Sequence, residues 1–109
     1  MQGVIRVVRS VDLYDNYTLY EDGSIESKER VIRTATRGSY IRRKTDIHPT
    51  VSDSGYSRVH FRVNGKQVSA YVHKLVADNF LMNPQGFKNV HHTDGDKENN
   101  HVSNLEWRP

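Results

Sequence analysis

Between Tyr56 and Tyr71 the chain leaves little choice of local structure. From Tyr56 to Val63 apolar and polar residues alternate, Asn64-Gly65 follows, and Lys66-Gln67-Val68-Ser69-Ala70-Tyr71 resumes β-forming composition. Asn-Gly tolerates the two consecutive positive φ angles of a type I′ turn, whose twist matches that of paired strands, so this stretch is predicted to be a β-hairpin. Because successive strand side chains point to opposite faces, Val59, Phe61 and Val63 share the inward face, and Arg58, His60 and Arg62 share the other. That outer face is basic. A solvated strand face has the same pattern, so it adds only modest weight to contact with a polyanion.

A hairpin alone does not fold, and little apolar material is available to cover it. The chain has 109 residues, 35% of them hydrophobic, and its mean hydropathy is −0.79. This is one small domain with a thin core, a size at which a metal, a disulfide or a partner is often recruited. There is no Cys, which excludes disulfides and thiolate zinc sites and leaves only a metal held by His, Asn or carboxylate. No long apolar run and no signal-like start occurs, so neither a membrane span nor export is expected and a cytoplasmic location is the default.

The net charge of +3 is unevenly spread. Residues 1–27 hold Arg6 and Arg9 against Asp12, Asp15, Glu21, Asp22 and Glu26. Residues 28–44 hold Lys28, Arg30, Arg33, Arg37, Arg42, Arg43 and Lys44 against Glu29 alone. Such a block suits a polyphosphate partner, although a solvated basic loop has the same composition. Val4 to Val11 reads as a strand. Tyr17-Thr18-Leu19-Tyr20 leads through Asp22-Gly23 into a return strand starting at Ile25. Residues 33–47 lack clear periodicity and read as a long basic loop or irregular hairpin.

Val72 to Leu81 is the helix candidate, because Val72, Leu75, Val76 and Phe80 fall near a spacing of 3.6 residues; Asn83-Pro84-Gln85-Gly86 ends it. His73, close to that stripe, reads as a packed and hydrogen-bonded helix residue and not a ligand. Then comes the chemically dense run from Val90 to Trp107. It holds His91-His92, Asp94-Gly95-Asp96, Glu98, Asn99-Asn100 and Asn104-Leu105-Glu106-Trp107. Hydrolysis of a phosphodiester needs a base to deprotonate water, a cation to stabilise charge on the phosphate, and a means of holding both. His92 suits the base, because an imidazole side chain exchanges its proton near neutral pH. His91 adjoins it; strand alternation would separate the two rings, unless the strand end bends enough for them to converge. Asn104 is placed to orient the site across two segments. The acids lack the order of a calcium loop, and no Walker, nucleophile-elbow or HExxH motif is present. A polar turn without catalysis would have much the same residues.

The spacing of His92, Asn99, Asn100 and Asn104-Leu105-Glu106-Trp107 resembles the HNH endonucleases, in particular the phage and intron-associated homing type. Val72-His73-Lys74-Leu75-Val76-Ala77 with Phe80 is similar to the helix preceding the nuclease motif in that group. Tyr20-Glu21-Asp22-Gly23-Ser24-Ile25 with Gly55-Tyr56 and Val59 looks like its β-rich leading module. The resemblance covers most of residues 17–107. It implies an α+β fold: a β-rich module with hairpins and a basic loop over residues 1–70, then one helix and a ββα-metal motif over residues 71–109, together one compact unit. The motif's strands are expected near 90–92 and 104–107. His92 then matches the general base, Asn104 the central Asn, and His91 a metal ligand; Asn99 and Asn100 match structural loop residues. A His ligand widens the expected ion from Mg²⁺ to Mn²⁺, Zn²⁺ or Ni²⁺. In the family a helix follows, with a last ligand near position 113; here the chain ends at Pro109, so the motif is expected to lack most or all of that helix.

The function implied is metal-dependent hydrolysis of double-stranded DNA by a phage-type enzyme, with Arg37, Arg42, Arg43, Lys44, Arg58 and Arg62 on phosphates, contacts that position without specifying sequence. The alternative is a catalytically silent descendant that binds DNA or inhibits a host protein, with the acidic patch at residues 12–26 as its docking surface.

Overall fold

The computed structural model describes residues 9–36 and 38–109. The expected Val4–Val11 strand therefore falls largely outside the described residues; the first strand, β1, is Ser10–Leu13. It is followed by β2 (Tyr17–Tyr20), β3 (Ile25–Ser27), β4 (Arg30–Thr34), β5 (Gly38–Arg42), β6 (Thr45–Ile47), β7 (Thr50–Val51), β8 (Ser57–Val63), β9 (Lys66–Tyr71), α1 (Val72–Phe80), β10 (Asn89–His92) and β11 (Leu105–Arg108). All pairings are antiparallel, in sheets ordered β1-β2-β3-β6, β4-β5, β7-β8-β9 and β10-β11.

The hairpin read from alternation forms in the expected register, with Val63 opposite Lys66 and positive φ at both Asn64 and Gly65, as a type I′ turn requires. Val59 and Phe61 are buried, Val63 is half-buried, and Arg58, His60 and Arg62 are exposed. The segment expected to be a loop or irregular hairpin is two things. Its first part is the ribbon β4–β5. Its second part, β6, returns to pair with β3, so the ribbon is an excursion out of the first sheet. The ribbon is solvated: Val31, Tyr40 and Ile41 are all more than half exposed.

The core gathers Leu13, Tyr17, Leu19 and Ile25 from the first sheet, Val59 and Phe61 from β8, Val72, Leu75 and Val76 from α1, and Val102 and Leu105 from the last segment. Tyr17 joins the two larger sheets. Its ring lies 4.8 Å from that of Phe61, while its hydroxyl accepts from Arg62 N at 3.1 Å and donates to Arg62 O at 3.4 Å. The helix buries Val72, His73, Leu75, Val76 and Ala77 in nine residues, so its stability comes from packing and not from capping; Tyr71 at its start supplies no side-chain cap. Among the described residues no helix is long and apolar enough to cross a membrane.

Candidate active site

The β10–β11 hairpin pairs Asn89 with Arg108, Val90 with Trp107, His91 with Glu106, and His92 with Leu105. The ladder runs regularly through both histidines, so their side chains leave on opposite faces and do not converge. His92 is buried and His91 half-buried. The pairing continues past the histidines, with Thr93 N donating to Asn104 O at 2.8 Å one step beyond the ladder, so the bend that would let the rings converge does not occur there.

Asn104 holds the connecting loop closed. Its Oδ1 accepts from Thr93 Oγ1 at 2.8 Å and Asp94 N at 3.1 Å, and its Nδ2 donates to Asp94 Oδ1 and Asn99 O, both at 2.9 Å. The carboxylates of the turn serve the backbone. Asp94 accepts from Asp96 N, and Asp96 accepts from Glu98 N. The amide of Asn99, then the Asp96 N–H and Asn104, hold the Asp94 carboxyl below the usual carboxylate range. This arrangement explains the acid-rich turn without a calcium ion.

His92 itself is contacted by residues that sequence reasoning did not assign to it. Its Nε2 lies 2.9 Å from Oδ1 of Asn100, which is also buried. Its ring sits 5.1 Å from that of His73 and 5.9 Å from that of Tyr56. His73 is packed as expected and stacks on Tyr56 at 4.8 Å, but the expected hydrogen bond is missing at Nδ1, the only fully buried, unpartnered side-chain nitrogen or oxygen among the described residues. Burial, followed by the charges of His92 and Lys74, pushes the His73 pKa down to about 4, so it is a neutral ring near pH 7. Lys97 closes the stack from outside, 4.7 Å above the Tyr56 ring and donating to Ser54 O. Beside it opens a cleft of about 480 Å³ lined by Tyr56, Tyr71, His73, Lys74, Lys88 and Val90, among others.

His91 faces a different environment. Its registered neighbour Glu106 is tied to Arg108, and among the described residues no three His, Asp or Glu side chains lie close enough to hold a metal ion. The residues present thus offer an imidazole for a divalent ion without a closed set of donors around it. Of the residues expected to meet DNA, Arg42, Arg43 and Lys44 are exposed at the foot of the ribbon, with Lys44 paired to Glu26 at 3.3 Å. Arg58 lies over Tyr71 at 5.3 Å, and Arg62 donates to Gly65 O. Arg37 lies outside the described residues. The acidic patch is partly neutralised: Asp12 pairs with Lys28 and Glu21 with Arg9.

No protein-family model matches the chain. It is 30% identical over 93 residues to an uncharacterised HNH endonuclease of Acanthamoeba polyphaga mimivirus and 34% identical over 97 residues to a second from the same virus. Its fold matches the structure of the HNH homing endonuclease I-HmuI, described as binding and cleaving DNA, with a TM-score of 0.62 and 26% identity over 85% of this chain. Over most of its length the chain is similar to HNH endonucleases. It spans 24% and 21% of the length of the two viral HNH relatives and 46% of the I-HmuI chain. The mixed α/β architecture, with one α-helix and several small sheets among the described residues, agrees with the expected α+β class and with the likeness to I-HmuI. The Asn doublet was the available signal for Asn100, but nothing in the local pattern distinguishes which of the two amides turns inward.

Proposed function

We propose that this chain hydrolyses phosphodiester bonds of double-stranded DNA with His92 as the general base. The observation that supports this best is the setting of His92: a buried imidazole held by one hydrogen bond on the β10–β11 pair and packed against Tyr56 and His73, which line a cleft with Lys74 and Lys88 in its walls. In this reading His92 takes the proton from the attacking water. Asn104 keeps the loop closed, so the position of the base does not drift. Arg42, Arg43, Lys44, Arg58 and Arg62 hold the sugar–phosphate backbone, as does Arg37. His91 is the residue offered to a divalent ion (Mg²⁺, Mn²⁺, Zn²⁺ or Ni²⁺), which when bound would stabilise charge on the phosphate.

Supercoiled plasmid incubated with the protein and each of the four ions tests the reading. Nicking that EDTA stops and that His92→Ala lowers by roughly 10²–10⁴-fold is expected, the usual worth of a positioned acid–base group. Intact plasmid with every ion, or equal nicking by His92→Ala, would refute it. The second reading, a silent DNA-binding or host-protein-binding module, draws on the absence of a three-donor group among the described residues. It predicts plasmid retardation in gels or capture of a host partner, in both cases without cleavage and unaffected by His92→Ala.

A further inference from the structure

We propose that Asn100 is the positioning residue for His92, and that it fixes which ring nitrogen does the work. This rests on His92 being the base. The orientation of the Asn100 amide follows from its two neighbours. Its Nδ2 donates to the carbonyl oxygen of Glu98 at 3.4 Å, and its Oδ1 lies 2.9 Å from His92 Nε2. Turning the amide over would set two carbonyl oxygens against each other. With Oδ1 facing it, His92 Nε2 must carry the hydrogen, because a carbonyl oxygen only accepts. In the neutral ring the lone pair is then on Nδ1. That atom has no protein partner, and it is not fully buried: His73 Nδ1 is the only fully buried, unpartnered side-chain nitrogen or oxygen among the described residues. The geometry therefore anchors one edge of the imidazole inside the fold and leaves the opposite nitrogen able to take a proton from a water molecule at the surface.

Asn100 is itself held from behind by the front of the chain. Gly23, in the β2–β3 turn, has φ +91°, and a Cβ there would lie 3.0 Å from Asn100 Cβ and 3.3 Å from Asn100 O. Two residues further on, Val102 N donates to Glu21 O at 2.8 Å. The turn is pressed against the loop because position 23 has no side chain, and this contact sets the depth at which the Asn100 amide meets the ring. Asn104, expected to orient the base, does so only indirectly, by closing the loop that carries Asn100.

Long-range ¹H–¹⁵N spectra of histidine-labelled protein, with the His92 signals assigned by their loss in His92→Gln, read the tautomer directly. The wild-type protein is expected to show neutral His92 as the Nε2–H form; finding the Nδ1–H form would overturn the proposal without any variant of Asn100. In Asn100→Leu, which keeps the volume and removes the acceptor, the two forms are expected to mix. Nicking kcat should fall by roughly a hundredfold with KM for plasmid unchanged, as when a reacting group is displaced by about an ångström. Asn100→Asp, which restores an acceptor, should recover the Nε2–H form and most of kcat. A wild-type tautomer in Asn100→Leu refutes the positioning role, as does wild-type kcat in Asn100→Leu when His92→Gln has lost nicking. If Asn100→Leu shifts the tautomer while His92→Gln still nicks, the positioning stands and the assignment of His92 as base falls.

Discussion

His73 makes the stability of the fold depend on pH. In the unfolded chain it titrates near 6.5, whereas burial beside Tyr56 and His92 brings it to about 4 in the fold. The unfolded state thus binds more protons than the native state between these values, so stability is complete above the unfolded pKa and is lost as pH falls toward the folded one. Integrating over that shift gives a loss of about 2 kcal/mol by pH 5 and roughly 3 kcal/mol below pH 4, a large share of a small domain's total. The carboxylates held low by their partners, Glu21 by Arg9, Glu26 by Tyr20 and Asp94 by Asn99, lose their contribution only below their unfolded values near 4, so the two effects separate on the pH axis. Urea unfolding of the wild type and of His73→Leu, at pH steps from about 8 to about 4.5, isolates the term. At pH 8 the variant should be within about 1 kcal/mol of wild type, because it loses a ring stack worth about 0.5–1.5 kcal/mol and also removes an orphaned nitrogen worth about 1–3 kcal/mol. Below pH 6 it should be the more stable of the two, by a margin that widens as pH falls. Parallel curves down to pH 4.5 would show that His73 is not held neutral by the fold.

Asn104→Ala should destabilise by about 2–3 kcal/mol in chemical denaturation, since it strands Thr93 Oγ1, the Asp94 N–H and Asn99 O at once; a loss under 0.5 kcal/mol would contradict its role in closing the loop. Gly23→Ala should cost about 1–3 kcal/mol, combining a left-handed backbone with the Asn100 contact, and should disturb the His92 signals more than those of His60 on the exposed strand face. Arg42→Ser with Arg43→Ser should reduce the slope of log affinity against log salt for duplex DNA by about 0.9 for each phosphate contact removed; an unchanged slope would place the DNA elsewhere. Leu19→Ala, at a fully buried position joining the first sheet to the core, should cost about 2–5 kcal/mol by thermal or urea melting.

What could be read from the chain was what is written locally. The β8–β9 hairpin follows from alternation and Asn64-Gly65, the helix from the spacing of Val72, Leu75 and Val76, and the last strand pair from the apolar anchors flanking the polar run. The pairing of β3 with β6 was not legible, because Ile25 and Ile47 meet across the ribbon and no periodicity spans such an insertion. Nor was the inward turn of Asn100, which depends on Gly23 approaching from the other end of the chain. His73 shows the same limit. Its place on the helix predicted burial, but its neighbours Tyr56 and His92 come from separate segments and give it rings to stack on where a hydrogen-bond partner was expected.

The bond from Val102 N to Glu21 O also bears on the order in which the protein matures during synthesis. The turn at Glu21–Gly23 is synthesised well before its partner at Val102 and must wait for it, so this contact closes a long loop and forms later than the local hairpins. The hairpins that display Arg42, Arg58 and Arg62 are local and need no such closure. A nascent chain interrupted just short of Asn100 therefore keeps its cationic surface but lacks the acceptor that seats the imidazole, and the molecule acquires its attraction for polyanions before it acquires a fixed His92.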